Sequence, residues 1–144
     1  MKNVLGLLLI LAATACATVP MAPDASDAAG KRFDPPPVGM AQIYIYRDST
    51  GSSTALNVSL GTRMLGALAG NTWFRIEVAP GSYDVRCNAE NVASAVVAVA
   101  VGETRFVETV IGIGMTAPRC RINEVAATVG RPAVLTGKQA AELR

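Results

Sequence analysis

A chain of 144 residues that carries 13 lysines and arginines against 11 aspartates and glutamates, and no histidine, excludes several classes of function. The lack of histidine removes the commonest metal ligand, the commonest general base and the nucleophile arrangements that need an imidazole. The near balance of charge gives no electrostatic basis for a nucleic-acid partner, which would require clustered basic residues. We therefore predict no catalytic residue, no metal and no cofactor.

The first fifteen residues have the pattern of an export signal. A basic start at residues 1–3 precedes the apolar run VLGLLLIL, which is less than half of the roughly 20 residues that cross a bilayer. The run leads to Ala13, Thr14 and Ala15, which satisfy the small-x-small rule of ordinary signal peptidase. Residues 1–15 are therefore predicted to be a cleaved signal peptide.

The role of Cys16 determines whether cleavage of the signal peptide gives a lipid-anchored or a soluble product. Small residues before a cysteine resemble the lipobox of bacterial lipoproteins, in which the thiol receives a diacylglycerol and the amine a third acyl chain, although Ala13 departs from the leucine preferred there. The alternative is a plain first residue on a soluble periplasmic or secreted product. Two or three chains anchor stably, because each buried methylene contributes about 0.8 kcal/mol. Ala17 is not the aspartate that resembles an inner-membrane retention signal, so we predict a lipidated Cys16 on the periplasmic side of the outer membrane.

Residues 16–39 are predicted to be the lipidated cysteine and a flexible tether. The sequence after Cys16 is rich in alanine, proline and aspartate and shows no sustained period. About 23 such residues would span roughly 25 to 30 Å. The motif DPPP at residues 34–37 would stiffen the end of the tether as polyproline II.

From residue 40 onwards, short apolar runs alternate with turn residues. The stretch AQIYIYR alternates strictly, which predicts a strand with Ile43 and Ile45 on one face and Tyr44 and Tyr46 on the other. Three hairpins are predicted, at Gly61-Thr62, Pro80-Gly81 and Gly102-Glu103. Thr136 would cap a short C-terminal helix. Turn signals every 8 to 12 residues therefore predict that residues 40–144 form an all-β domain, an antiparallel β-sandwich of about seven to eight strands with that helix.

Cys87 and Cys120 remain as an even pair in an oxidising compartment once Cys16 carries lipid. A disulfide bond between them would close a loop of about 33 residues and contribute roughly 3 to 4 kcal/mol on the chain-entropy model. Two buried free thiols or a catalytic thiol are the alternatives. The chain has no histidine or CxxC spacing to activate a thiol, so we predict the disulfide.

Two further groups of side chains are candidate sites. In the hairpin predicted at Pro80-Gly81, Glu77 and Asp84 would lie about 5 Å apart, the spacing of a retaining glycosidase pair. A flat hairpin face has no cleft to separate their pKa values, so a solvated charged face is favoured. Tyr44, Tyr46 and Trp73 would form an exposed patch that binds sugars or a partner, unless the second sheet or the terminal helix covers them.

Three stretches in order, AQIYIYR, NVSLGTRMLGALAGNTWFRIEVAPGSYDV and GETRFVE, resemble the bacterial lipoprotein domain known as domain of unknown function 2846. The shared pattern is a Tyr-x-Tyr-Arg strand end, a small-residue hairpin, an aromatic strand, a Pro-Gly turn and a Gly-x-Thr-x-Phe/Tyr strand start. It covers about residues 40–110. The resemblance implies a β-sandwich in the cell envelope and supplies neither an activity nor functional residues.

Together these features predict an outer-membrane-anchored lipoprotein that is not an enzyme and has a structural or binding role. Its partners would be the membrane, through the acyl chains, and an envelope protein or glycan. One alternative is a hydrolase of envelope glycans, which needs Glu77 and Asp84, or Asp48 with another carboxylate, in one cleft. The other is an exported inhibitor that offers a hairpin or a sheet edge to an enzyme.

Overall fold

The computed structural model describes residues 19–51 and 53–144. The predicted signal peptide and Cys16 lie outside the described residues. Within them, nine strands and two helices follow in chain order. They are α1 (Asp24–Gly30), β1 (Ala41–Arg47), β2 (Leu56–Leu60), β3 (Arg63–Leu68), β4 (Thr72–Val78), β5 (Gly81–Asn88), β6 (Val92–Val99), β7 (Thr104–Ile113), β8 (Pro118–Val125), α2 (Ala127–Thr136) and β9 (Lys138–Gln139).

The strands form two sheets, one of five strands in the order β8-β7-β1-β4-β9 and one of four in the order β3-β2-β5-β6. Both sheets contribute to one hydrophobic core, with Ile43 and Phe74 from the first and Val58 and Val85 from the second. The mostly-β class is therefore confirmed. The prediction of a wholly antiparallel arrangement is wrong, since β1 pairs with β7 and β4 with β9 in parallel. Parallel pairs need long connections, and the chain between β1 and β7 supplies one by building the four-stranded sheet and β4.

One of the three predicted hairpins forms. Strands β2 and β3 pair antiparallel across Gly61-Thr62, as predicted. At Pro80-Gly81 and Gly102-Glu103 the chain instead passes from one sheet to the other, because β4 and β5 lie in different sheets, as do β6 and β7. Pro-Gly favours a type II turn, which does not match the twist of a two-residue hairpin. Ile76 of β4 finds its antiparallel partner in Ile43 of β1 instead.

The helix near the C-terminus lies earlier than predicted. It ends at Thr136, where the sequence predicts its beginning. Gly130 and Pro132 both disfavour a helix in this segment. However, Val134 is buried against the sheet, and the missing side chain of Gly130 lets the helix approach Phe106 closely. Tertiary packing thus overrides the local propensity.

The segment before β1 differs from the predicted flexible tether over the residues that the structure describes. Val19 is buried in the core. The carbonyl of Gly30, at the end of α1, accepts a hydrogen bond of 2.8 Å from the Tyr44 hydroxyl. The carboxylate of Asp27 accepts one of 2.7 Å from the backbone N–H of Gln139. These bonds join residues far apart in the sequence, so the composition that suggested a tether does not reveal them.

The variant Gly30→Ala tests whether α1 is docked on the sheet. An added Cβ would overlap the Trp73 ring, so we expect the free energy of unfolding to fall by about 1 to 3 kcal/mol, the usual cost of overpacking. Urea denaturation followed by tryptophan fluorescence and circular dichroism measures it. Gly112→Ala is the matched control, because its Cβ would make only an ordinary contact and should change stability by less than about 0.5 kcal/mol. Equal stability of the two variants would contradict the docking of α1.

Candidate functional site

Cys87 on β5 and Cys120 on β8 form a disulfide bond that joins the two sheets, which confirms the predicted pairing. Their Cα atoms are 6.3 Å apart and both residues are buried. The Asn91 side chain accepts a hydrogen bond of 2.8 Å from the backbone N–H of Cys120 and donates one of 3.0 Å to its carbonyl. Arg119 and Arg121, on either side of Cys120, are exposed. The bond therefore connects the sheets in the interior of the fold.

The predicted carboxylate pair does not form. Glu77 lies on β4 and Asp84 on β5, in different sheets. Asp84 is instead ion-paired with Arg86 on its own strand. Asp48, the other candidate, accepts hydrogen bonds from the backbone N–H and the hydroxyl of Thr50. The geometry required for the glycan-hydrolase alternative is thus missing between Glu77 and Asp84.

In residues 19–51 and 53–144, no group of three or more cysteines, aspartates and glutamates is arranged to hold a metal ion. No helix in the same residues is long and apolar enough to cross a membrane.

Tyr44, Tyr46 and Trp73, the candidate binding patch, are buried, which corrects the prediction of an exposed surface. With Phe33 and Phe106 they form what we call the aromatic layer, on the face of the five-stranded sheet opposite the core shared with the second sheet. The neighbouring ring centroids of Phe33, Tyr44, Trp73 and Phe106 lie between 5.1 and 6.1 Å apart. Helices α1 and α2 cover the layer. The aromatic layer is therefore a second core. Of the two covers considered from the sequence, the second sheet and a terminal helix, the helix is the one observed, together with α1.

The two tyrosine hydroxyls in the aromatic layer have different surroundings. That of Tyr44 donates to the carbonyl of Gly30, whereas that of Tyr46 is buried without a hydrogen-bond partner in the described part of the chain. Burial raises the pKa of both phenols. For Tyr46 it raises the pKa to about 12, and the negative charges of Glu108 and Asp48 add to the effect of burial. Both side chains therefore stay protonated at neutral pH and act as parts of a core.

The first described residues extend the five-stranded sheet beyond β9. The carbonyl of Pro20 accepts a hydrogen bond of 2.8 Å from the N–H of Ala141, and the N–H of Ala22 donates one of 2.9 Å to the carbonyl of Gln139. Met21 lies between them in an antiparallel bridge. Residues 19–23, which we call the N-terminal segment, therefore run as a strand-like segment beside residues 139–144, which we call the tail.

The tail and the start of α1 form a polar groove of about 420 Å³, which we call the tail groove. It is lined by Ala22, Pro23, Ser26, Arg63 and residues 139–144. Arg63, on β3, forms an ion pair of 2.5 Å with Glu142 of the tail. Arg144 supplies a second guanidinium group to the same groove. Charged walls of this kind suit a polar or ionic surface better than an apolar small molecule.

The tail also closes one edge of the four-stranded sheet. The N–H of Leu143 donates a hydrogen bond of 2.8 Å to the carbonyl of Leu65 on β3. The side-chain oxygen of Gln139, which lines the tail groove, is buried and has no hydrogen-bond partner among residues that the structure describes. The groove therefore lies where the edges of both sheets meet the N-terminal segment.

Sequence reasoning did not find this groove. One signal was present, since proline within sheets is confined to edges, and Pro20 and Pro23 bracket the segment that lies at the sheet edge. The same prolines are typical of linkers, and the tail's pairing with this segment depends on contacts about 120 residues away in the sequence.

No family model matches the chain. The chain is similar to a protein of Haemophilus influenzae named "Uncharacterized protein", with 25% identity over 134 residues, which make up 92% of this chain and 79% of that protein. The likeness therefore assigns neither a family nor an activity.

The double variant Cys87→Ala/Cys120→Ala tests the contribution of the disulfide. We expect the free energy of unfolding to fall by about 3 to 4 kcal/mol, because the bond constrains the unfolded chain across a sequence separation of 33 residues. Urea denaturation of the variant and of the oxidised wild type gives the difference. Reduced wild type, which keeps both sulfur atoms, is the control for the volume lost in the variant. A loss under about 1 kcal/mol in both samples would contradict this role.

The paired variants Tyr44→Phe and Tyr46→Phe test the aromatic layer. Tyr44→Phe removes the side-chain hydrogen bond to the Gly30 carbonyl, which keeps the longer bond of 3.2 Å from the Phe33 N–H, so we expect the free energy of unfolding to fall by about 1 kcal/mol. Tyr46→Phe removes a buried hydroxyl that has no partner in the described structure, so stability should be unchanged or higher. Urea denaturation at neutral pH measures both. A larger loss for Tyr46→Phe than for Tyr44→Phe would refute the assignment.

The pH dependence of stability offers a check on Tyr46 alone. Its pKa in the folded state, about 12, exceeds the unfolded value of about 10. Stability that is fully present below pH 10 should therefore be lost as the pH rises towards 12, because the unfolded chain ionises first. The difference between wild type and Tyr46→Phe, measured by denaturation from pH 8 to 12, should grow in that window in favour of the variant.

Proposed function

We propose that this protein is a lipoprotein, anchored by acyl chains on Cys16 to the periplasmic side of the outer membrane, with a non-catalytic structural or binding role. The observation that carries the proposal is the buried Cys87–Cys120 disulfide in a chain whose start resembles a lipobox. Disulfides persist in the periplasm and are rare in the cytosol. The bond therefore supports export, and a cysteine at the expected cleavage position supports anchoring rather than release.

The architecture agrees with the resemblance to domain of unknown function 2846. That resemblance implies a β-sandwich, and the two sheets share one core between them. We therefore propose a β-sandwich domain whose outer aromatic face is covered by two helices. No enzymatic activity follows from the resemblance, which is consistent with a structural or binding role.

The spacing between anchor and domain shapes how such a lipoprotein would act. Cys16 precedes the buried Val19 by three residues. Because an extended residue spans at most about 3.5 Å, the buried residue lies within about 10 Å of the acylated cysteine. The domain would thus be held directly at the bilayer surface rather than displayed at the end of a long tether.

A second candidate, an exported inhibitor that offers a sheet edge to a partner protein, is favoured by β6. Among the described strands, β6 pairs with β5 alone. Its sequence VASAVVAV contains no charged residue, and Val92 and Val96 are 66% and 71% exposed. Edge strands usually carry charges or prolines that prevent further pairing. An uncharged edge with exposed valines suits the addition of a partner's strand.

Intact mass spectrometry of the protein purified from its own membranes tests the anchor. We expect the mass of a chain cleaved before Cys16 plus two or three acyl chains, with Cys87 and Cys120 alkylated only after reduction. Cys16→Ser is the matched control, because it removes the acceptor thiol and keeps the apolar run, and it should carry no acyl mass. An unlipidated wild-type mass would remove the envelope anchor from the proposal.

A further inference from the structure

The short distance between anchor and domain limits which surface can face the membrane. Val19 lies in the core, and Pro20, directly after it, is hydrogen-bonded to Ala141 of the tail. The surface around these residues is therefore the one held within about 10 Å of an acylated Cys16. This surface consists of the N-terminal segment, the tail and the adjacent edge of β3.

Large apolar side chains are exposed on all three of these elements. Met21 is 45% exposed on the N-terminal segment, Met64 is 44% exposed on β3, and Leu143 is 54% exposed on the tail. Leu143 is hydrogen-bonded to Leu65, the neighbour of Met64, and the N–H of Ala22, next to Met21, is bonded to the start of the tail. Direct backbone hydrogen bonds therefore place the three segments that carry these side chains next to one another.

Arginines accompany these apolar side chains. Arg63 precedes Met64, Arg144 follows Leu143, and both line the tail groove. A guanidinium group binds phosphate through two parallel hydrogen bonds, and a long arginine stem can lie along apolar surface while its charge reaches the headgroups. Apolar side chains beside arginines are the composition of a surface that lies at a bilayer interface.

We propose that Met21, Arg63, Met64, Leu143 and Arg144 form an anchor-proximal face that lies on the bilayer carrying the Cys16 acyl chains. The two methionines and Leu143 enter the boundary between headgroups and acyl chains. Arg144 binds a lipid phosphate, and Arg63, which is ion-paired with Glu142, lies beside the headgroups. This inference rests on the proposed acylation of Cys16. It adds a fixed orientation of the domain, which an anchor alone does not impose.

The opposite edge of the molecule supplies a control surface. Ile113 at the end of β7 and Met115 in the turn that follows are 97% and 105% exposed, more than Met21, Met64 or Leu143. Strand β8 is the edge of the five-stranded sheet farthest from β9. If exposure alone decided membrane contact, this turn would insert first, whereas the proposed orientation points it away from the bilayer.

The test places a fluorophore on each surface of the acylated full-length product. Leu143→Cys and Ile113→Cys, both at exposed positions, are labelled without reduction, so that the Cys87–Cys120 disulfide is kept. Each protein is reconstituted into vesicles of phosphatidylethanolamine and phosphatidylglycerol that contain lipids with brominated acyl chains. Intact mass of the same sample establishes acylation, and urea denaturation establishes that each variant is folded. A Met64→Cys and Met115→Cys pair repeats the comparison should either first variant be unfolded.

We expect bromolipid quenching of the Leu143 label to exceed that of the Ile113 label by at least about twofold, as for a side chain buried about 5 to 10 Å in the interface. Equal quenching, or stronger quenching of the Ile113 label, in an acylated and folded sample would overturn the orientation and leave the anchor intact. A sample without acyl mass would overturn the anchor and the orientation together. The two failures are therefore distinguished by the mass spectrum.

Discussion

The fold depends on burying both faces of β1. All seven of its residues are buried. Ile43 and Ile45 face the core between the sheets, while Tyr44 and Tyr46 face the other way, into the aromatic layer. An aromatic side chain buries about 150 to 250 Å², so this second face needs a cover as much as the first needs the other sheet. Helices α1 and α2 are that cover, and the bond from Tyr44 to Gly30 ties α1 to the strand.

The two covering helices also bring the first and last described residues into the fold. Because α1 precedes β1 and α2 follows β8, the residues before α1 and the residues after α2 lie at the same edge of the five-stranded sheet. There they pair with each other, and Val19 and Ala140 enter one core. Residues that would otherwise separate an anchor from a domain become part of the domain. If Cys16 is acylated as proposed, the domain is held close to the membrane and does not extend away from it on a long tether.

Alternation along the chain predicted the side chains of β4 and β5 that face the core between the sheets, but it predicted neither which strand each would join nor the burial of the outer face of β1. The inward positions of β4 and β5, such as Ile76 and Val85, follow directly from their period of two. The strand that pairs with β4, which ends just before Pro80-Gly81, is set by distant residues of β1, and no local sequence signal encodes that pairing. The same limit applies to the disulfide and to the aromatic residues that were predicted as a binding patch. The disulfide could be predicted from the number of cysteines and the oxidising compartment. The burial of Trp73 could not, because it depends on α1, whose alanine- and aspartate-rich sequence contains no large apolar side chain that would predict packing against a sheet.

The edge of the molecule formed by β9 and β3 is covered by other parts of the chain, whereas the edge formed by β8 and β6 carries exposed apolar side chains. At one edge the tail bonds to β3 and the N-terminal segment, and the proposed anchor lies within a few residues. At the other edge the disulfide joins β5 to β8, next to β6 with its exposed Val92 and Val96. A domain that lies on the bilayer by its first edge presents the second to the periplasm. Binding through β6 would then take place on the side that the disulfide holds together, where a partner's strand could approach without competition from the membrane.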